Sequence, residues 1–316
     1  MEYIFGIDIG GMSVKCGLFE YDESSSPKLI DKWIVPTDTS DGGSRILADI
    51  ADSVLGEIGR IGIEPHKIRG CGIGVPGAVS GERIVVGCPN LGWGRFDVAE
   101  EFSKLSGIGN VRIANDANAA ALGEYNHIKS ADNDITSLAL ITVGTGVGCG
   151  IIANGKIVAG ANGAAGEIGH LKMSDTETRY CGCGKRGCLE QYASARGVVQ
   201  TAQDLLAESG ESVLSPIPDF SAKDVFDAAR EGDMLALKAV DMAAKKLGTA
   251  LSYVSCVIDP DVFLIGGGAS RAGDVFLEPI RKYYKEACFY PSRGTEITTA
   301  KLGNDAGMFG CACLMI

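Results

Sequence analysis

Tyr3-Ile4-Phe5-Gly6-Ile7-Asp8-Ile9 followed by Gly10-Gly11 is an apolar β-rich run ending in a glycine turn, and Val14 to Glu20 returns as a second strand. Further along, Leu138 to Val143 reads as a strand, Gly144-Thr145-Gly146 turns, and Val147 to Ala153 comes back. Asn154-Gly155 then predicts a tight hairpin turn of the primed type. Residues 4–20 and 138–157 are two copies of one device, an internal repeat of architecture with low sequence identity.

Between the copies, Gly70 to Pro76 and Val111 to Ala114 read as strands. Helices are predicted over Ser44 to Ile58 and from Asn115 to Tyr125. The second half is more helical, with Cys188 to Glu208 and Leu235 to Ile258, the latter stopped by Asp259-Pro260. Val262 to Ile265 is a short strand before Gly266-Gly267-Gly268, which is expected to open a helix. Ser24-Ser25-Ser26-Pro27 reads as a surface turn. Strands alternating with helices imply an α/β fold. Two domains, each begun by a strand–turn–strand unit, are expected to face one another across a cleft. The expected division is residues 1–116 as a small α/β domain, with a C-terminal helix over 303–316 packing back on it, and 117–302 as a large α/β domain carrying a metal-binding segment.

The chain has 316 residues, 46% apolar and 22% charged, with a formal net charge of -11. That sign repels phosphate backbones and anionic membrane surfaces, so neither nucleic acid nor membrane is an expected partner. The first residues lack a signal-peptide pattern, and no apolar run reaches the ~20 residues needed to span a bilayer. The expectation is a cytoplasmic protein. The 11 cysteines argue against a disulfide framework. Cys16, Cys71, Cys256 and Cys311 are expected to be buried.

Glycine turns between strands expose backbone N–H groups that bind phosphate oxygens. Gly10-Gly11, Gly144-Thr145-Gly146 and Gly266-Gly267-Gly268 form three such sets. None matches the Walker A or dinucleotide fingerprints. Asp8, beside Gly10 on a buried strand, is placed to meet Mg²⁺ on a nucleotide; the plainer reading is a cap on the turn. Asp116 lies where a strand gives way to a helix, a position for a general base, with Asn115 beside it to hold a sugar hydroxyl; an N-cap role for Asp116 suits the spacing equally.

His170, Cys181, Cys183 and Cys188 form a Cys₃His set in a glycine-rich segment, suited to the closed tetrahedral shell of a structural zinc ion. The rival is three free thiols beside an unrelated histidine. A zinc-bound His170 would keep one ring N–H for a sugar hydroxyl, and the knot would fix Glu167 and Glu190 around it. His66, His127, Lys185 and Arg186 are read as surface residues.

These segments together resemble the ROK family of repressors, open reading frames and sugar kinases. The match rests on Gly6-Ile7-Asp8-Ile9-Gly10-Gly11, Asn90-Leu91-Gly92-Trp93, Asn115-Asp116-Ala117-Asn118, Gly144-Thr145-Gly146-Val147-Gly148, Glu167-Ile168-Gly169-His170, the Cys181–Glu190 segment and Leu302-Gly303-Asn304-Asp305-Ala306-Gly307. The resemblance implies an actin/hexokinase-like fold of two ribonuclease-H-like domains flanking a cleft. It implies ATP with Mg²⁺, and phosphate transfer to a hexose, glucose above N-acetylmannosamine, N-acetylglucosamine or fructose. It implies Asp116 as catalytic base and Asn90, Asn115, Asp116, Glu167, His170 and Glu190 around the sugar. Asp8, Gly10, Gly11, Gly144, Thr145 and Gly146 would serve the phosphates, with Gly267 and Gly268 near the adenosine. Zinc would take His170, Cys181, Cys183 and Cys188. Members form homodimers or homotetramers. Where the family usually has Thr after Gly10-Gly11, this chain has Met12, which removes a hydroxyl near the phosphates. A sugar-sensing regulator would carry a helix-turn-helix ahead of Gly6, and a catalytically impaired sugar binder is favoured by Met12 alone.

Overall fold

The computed structural model describes residues 1–23, 26–130, 134–174, 179–209 and 211–316. The turn read at Ser24–Pro27 lies partly outside them. In chain order the elements are β1 (Glu2–Ile9), β2 (Ser13–Tyr21), β3 (Lys28–Pro36), α1 (Ile46–Ile61), β4 (Ile68–Val75), β5 (Ala78–Ser80), β6 (Ile84–Gly87), β7 (Phe96–Asp97), α2 (Val98–Ser106), β8 (Val111–Asn115) and α3 (Asp116–Lys129). There follow β9 (Leu138–Val143), β10 (Val147–Ala153), β11 (Lys156–Ile157), α4 (Glu190–Ala193), α5 (Ala195–Ser209), α6 (Ala222–Arg230), α7 (Met234–Ile258), β12 (Val262–Gly266), α8 (Asp274–Ala287), β13 (Glu296–Thr299) and α9 (Ala306–Cys313). Among the described residues no helix is long and apolar enough to cross a membrane.

The chain divides into two compact units. The first holds Met1–Thr136, Gly150–Ala165 and Leu302–Ile316. It includes α3, which packs along α9, and so extends past Asp116 to Thr136. Its sheet has the order β3-β2-β1-β4-β8. The β1–β2–β3 meander is antiparallel, while β4 runs parallel to β1 and β8 parallel to β4. Strand β1 is buried over Ile4–Ile7, as its apolar run requires. One face of the sheet packs on α1 and α2 through Ile50, Val54 and Phe102. The other meets α9, which approaches so closely that glycines occupy the contact. A Cβ on Gly72 of β4 would overlap the Cys311 carbonyl, and one on Gly310 of α9 would overlap the Ala119 carbonyl of α3. The C-terminal helix is therefore a core element of the first unit.

The second unit holds Ser137–Cys149 and Gly166–Lys301. Here β9 runs parallel to β12, and β12 parallel to β13. Helix α7 lies against α5, α6 and α8, presenting Ala243, Leu247, Ala250 and Leu251 at helical spacing. Asp259 terminates it in the left-handed conformation, φ 48°. The Asn154-Gly155 turn has positive φ at both residues, 51° and 74°, as a primed turn demands.

Three expectations are corrected. The helix over Cys188 to Glu208 is two helices, because Ser194 is extended and its hydroxyl caps α5 through the Gly197 N–H at 3.1 Å. Gly266-Gly267-Gly268 opens only a short 3₁₀ turn, Gly268–Ala272; the helix proper starts at Asp274. Cys256 is exposed on the outer side of α7, since 3.6-residue periodicity turns it away from Leu247 and Leu251.

Candidate functional site

In the first unit the Gly10-Gly11 turn closes through the Gly10 N–H donating to the Ser13 carbonyl at 3.0 Å. Thr37, just past β3, braces it. Its Oγ1 donates to the Gly10 carbonyl at 2.7 Å and its N–H to the Met12 carbonyl at 3.2 Å. The Met12 side chain is 91% exposed and takes no part in holding the turn. Sequence reasoning missed Thr37, whose only signal is a hydroxyl at the end of a neighbouring strand.

Asp8 points inward from β1. Burial raises its carboxyl above the ordinary value, against a smaller opposing pull from Lys15, whose Nζ lies 3.6 Å away. Lys15 also donates to the Asn304 carbonyl at 2.7 Å, and Lys32 pairs with Asp305 at 2.7 Å. A Cβ on Gly307 would lie 2.6 Å from the Asp8 carboxyl carbon. The Leu302–Gly307 motif is thus the floor beneath Asp8, a role that the sequence did not reveal.

At the junction of β8 and α3, Asn115 is the helix cap. Its Oδ1 accepts from the N–H groups of Ala117 and Asn118 at 3.0 and 3.2 Å, and its Nδ2 donates to the Gly77 carbonyl at 3.3 Å. Asp116 is the first helical residue, and its Oδ1 accepts from the Ala117 N–H at 2.8 Å. Asn115 is therefore the cap proper, and Asp116 shares the Ala117 N–H with it. The Cys88 thiol is pushed up by burial, with the Asp116 carboxylate adding to the effect. The 88–93 loop is pinned by the Cys88–Trp93 bridge and by Trp93 Nε1 donating to the Gly43 carbonyl at 3.1 Å. Asn90 sits exposed on its 3₁₀ turn, Pro89–Leu91.

In the second unit the turn after β9 closes through the Gly144 N–H donating to the Gly146 carbonyl at 3.0 Å. Ala195, at the start of α5, donates to the Gly144 carbonyl at 2.9 Å. Glu190, the first residue of α4, accepts from the Val147 N–H through Oε2 at 3.1 Å, and a Cβ on Gly146 would overlap that oxygen. Gly267 has φ 77° and packs on the Val143 carbonyl, where a Cβ would come within 2.5 Å. Thr145 is exposed at the turn. Beside Gly268 opens a cavity of ≈ 450 Å³, lined by Ala195, Phe226, Arg230 and Ala272 among others. The phosphate-type turn, Glu190, Gly267 and this cavity are brought together; the lining from α6 was not foreseen.

His170, Cys181, Cys183 and Cys188 place their ligand atoms within 4.8 Å of one another. Cys181 Sγ lies 3.5 Å from His170 Nδ1, and Cys183 Sγ lies 3.7 Å from Cys188 Sγ. Zn–S bonds of about 2.3 Å and Zn–N bonds of about 2.0–2.1 Å in a tetrahedron give edges of about 3.8 and 3.6 Å. The donor set and its spacing therefore fit zinc. The contact turns Nδ1 toward the thiols and leaves Nε2 facing Glu167 Oε2 at 3.8 Å. Glu190 follows Cys188 by two residues, with Leu189 N–H bonded to the Leu171 carbonyl at 2.8 Å. Burial pushes the Cys149 thiol up to about 12, with Glu167 nearby adding to it. Arg186 is exposed but stacks on the Tyr180 ring, 3.9 Å from its centroid; His66 and His127 are exposed.

A model of the ROK family matches residues 4–316. A glucokinase of Halalkalibacterium halodurans is 40% identical, with 98% of this chain and 93% of that protein covered. A glucokinase of Streptomyces coelicolor is 36% identical over 99% of this chain and 98% of its own. The crystal structure of a ROK family glucokinase from Streptomyces griseus, in complex with glucose and AMPPNP, superposes with a TM-score of 0.76 at 31% identity, covering 99% and 98% of the two chains. The α/β, actin/hexokinase-like fold expected from the sequence is the one these neighbours share.

Proposed function

The chain belongs to the ROK family, and from that premise we propose that it is a sugar kinase transferring the γ-phosphate of ATP to a hexose, glucose first among candidates. The observation that carries the reading is Asn115 taking the helix cap proper, with the Asp116 carboxylate beside it as the first residue of α3. Both of the relatives above named for their activity are glucokinases.

In the first unit, Asp116 takes the proton of the attacking hydroxyl as the new O–P bond forms. Asn90 and Asn115 hold the sugar. The N–H group of Gly11 receives a phosphate oxygen, held out by the turn that the Gly10 N–H closes onto Ser13, and the exposed Met12 side chain does not obstruct it. In the second unit, Glu167, His170 and Glu190 accept from or donate to sugar hydroxyls. Thr145 and Gly146 offer amides to phosphate from the turn that the Gly144 N–H closes, and Gly267, Gly268 and the adjoining cavity take the adenosine. Asp8 is the residue to hold a nucleotide-bound Mg²⁺, whose chemistry is to neutralise phosphate charge. His170, Cys181, Cys183 and Cys188 would hold zinc, which supplies rigidity and, with its shell filled, no reactive water.

The test is ADP release with ATP and Mg²⁺ against glucose, mannose, fructose, N-acetylglucosamine, N-acetylmannosamine and a no-sugar control. Turnover on glucose well above the others supports the reading. Turnover on another hexose replaces the substrate, and silence across the panel from folded protein overturns the activity.

A further inference from the structure

Thr37 follows β3 directly, where Pro36 lies opposite Ser13 of β2. Its N–H donates to the Met12 carbonyl at 3.2 Å and its Oγ1 to the Gly10 carbonyl at 2.7 Å. One residue therefore takes the carbonyls on either side of Gly11. A hydrogen-bonded turn from Gly10 to Ser13 would send the Ser13 N–H to the Gly10 carbonyl. Among the described residues that bond is not made; the reverse one is, from the Gly10 N–H to the Ser13 carbonyl at 3.0 Å. The Thr37 hydroxyl stands where the Ser13 N–H would otherwise be.

A trans peptide unit is planar, so its N–H points opposite to its C=O. The Gly10 carbonyl shares its unit with the Gly11 N–H, and the Met12 carbonyl shares its unit with the Ser13 N–H. Drawing both carbonyls toward Thr37 turns both N–H groups to the face away from it. Successive amides directed to one face make a concavity for an anion. We propose that Thr37 is a positioning residue for the nucleotide, aiming the Gly11 and Ser13 N–H groups at one phosphate by holding the two carbonyls behind them. This role rests on the nucleotide reading of the Gly10-Gly11 turn, and it adds the Ser13 amide to the Gly11 amide. It also bears on Met12. The hydroxyl missing from position 12 is not replaced at the phosphate; Thr37 places one behind the turn, where it acts through the backbone. Once that hydroxyl is removed, the Gly10 carbonyl is free to take the Ser13 N–H, which closes the turn and withdraws that amide from the ligand.

The test uses the full chain, with initial rates over both ATP and glucose and calorimetry with Mg²⁺ and AMPPNP. Thr37→Val removes the hydroxyl and keeps the β-branched shape and the N–H. Thr37→Ala is a second truncation, and Thr37→Ser keeps the hydroxyl. Melting curves establish that each variant is folded. Either truncation is expected to raise KM for ATP and weaken AMPPNP by about tenfold or more, the loss of a hydrogen bond to a charged group. KM for glucose should stay within about twofold, since a bond of this kind is made to phosphate alone. Thr37→Ser should return AMPPNP affinity to the unaltered value. A brace that only holds the fold would lower Tm and leave the two KM values moving together. Unchanged AMPPNP affinity in both truncations, or a loss that serine does not restore, overturns the role of Thr37 and leaves the nucleotide reading standing. An unaltered chain that takes no AMPPNP sinks that reading, and the role of Thr37 with it.

Discussion

Glu190 Oε2 accepts the Val147 N–H at 3.1 Å, so a carboxylate assigned to the sugar also fastens the turn assigned to phosphate. A hydrogen bond to a charged acceptor contributes about 1.5–3 kcal/mol. Glu190→Ala should therefore raise KM for ATP as well as for sugar, by about tenfold or more each. Glu190→Gln keeps an acceptor oxygen for Val147 and should spare ATP more than sugar. Steady-state kinetics with both substrates varied decide it; an unchanged ATP KM in the alanine variant would sever the link.

Asp116→Asn should lower kcat by roughly 10²–10⁴-fold, the usual contribution of a general base. Glucose binding, followed by calorimetry, should change little, because only the proton acceptor is lost. Turnover retained by the variant would sink the assignment.

Asp8 links stability to pH. Its carboxyl is raised by burial, so folding takes up a proton there. That contribution is complete in acid, below the ordinary carboxylate value, and is lost as pH rises through the raised one. Asp8→Asn should thus make the nucleotide-free chain more stable at neutral pH, with the gain fading as pH falls toward the ordinary value. The same variant should bind Mg²⁺–ATP more weakly. Denaturant titrations across pH check the first part; a variant less stable at neutral pH would refute it.

Removing the metal should loosen the second unit around its sugar residues. The purified chain should carry one zinc per chain by elemental analysis. Chelation or Cys181→Ser should lower Tm and raise KM for sugar. A metal-free protein with native melting and kinetics would overturn the zinc assignment.

Gly310→Ala sets two effects against each other. Helix propensity favours Ala over Gly by about 1 kcal/mol. Against that, the new Cβ overlaps the Ala119 carbonyl of α3, and overpacking typically costs about 1–3 kcal/mol even where side chains can yield. Backbone cannot yield as easily, so destabilisation should win in a denaturant titration. A stabilised variant would show that α9 and α3 stand farther apart.

The strands and glycine turns were legible because alternation and punctuation are local signals: β1, β9 and the Asn154-Gly155 turn lie where periodicity put them. The Cys₃His cluster was legible because soft donors at short spacing have few other uses. The division of labour between Asn115 and Asp116 was not, since either residue caps a helix well and only the hydrogen bonds decide. Ser194 was read through as helix because a single extended residue barely disturbs an apolar pattern. Thr37 and Gly307 were missed as neighbours of Gly10 and Asp8 because tertiary approach leaves no mark on spacing.

Helix α9 fills the face of β1 and β4 opposite α1, although nearly the whole chain separates it from them. On the ribosome, β1 to β8 emerge first and must wait. The second unit is synthesised in the interval and has every residue it needs before Leu302 appears. The order of completion during synthesis is therefore inverted: the half begun first is finished last, and a nascent chain halted before Ala306 would expose the glycine-lined face that α9 covers.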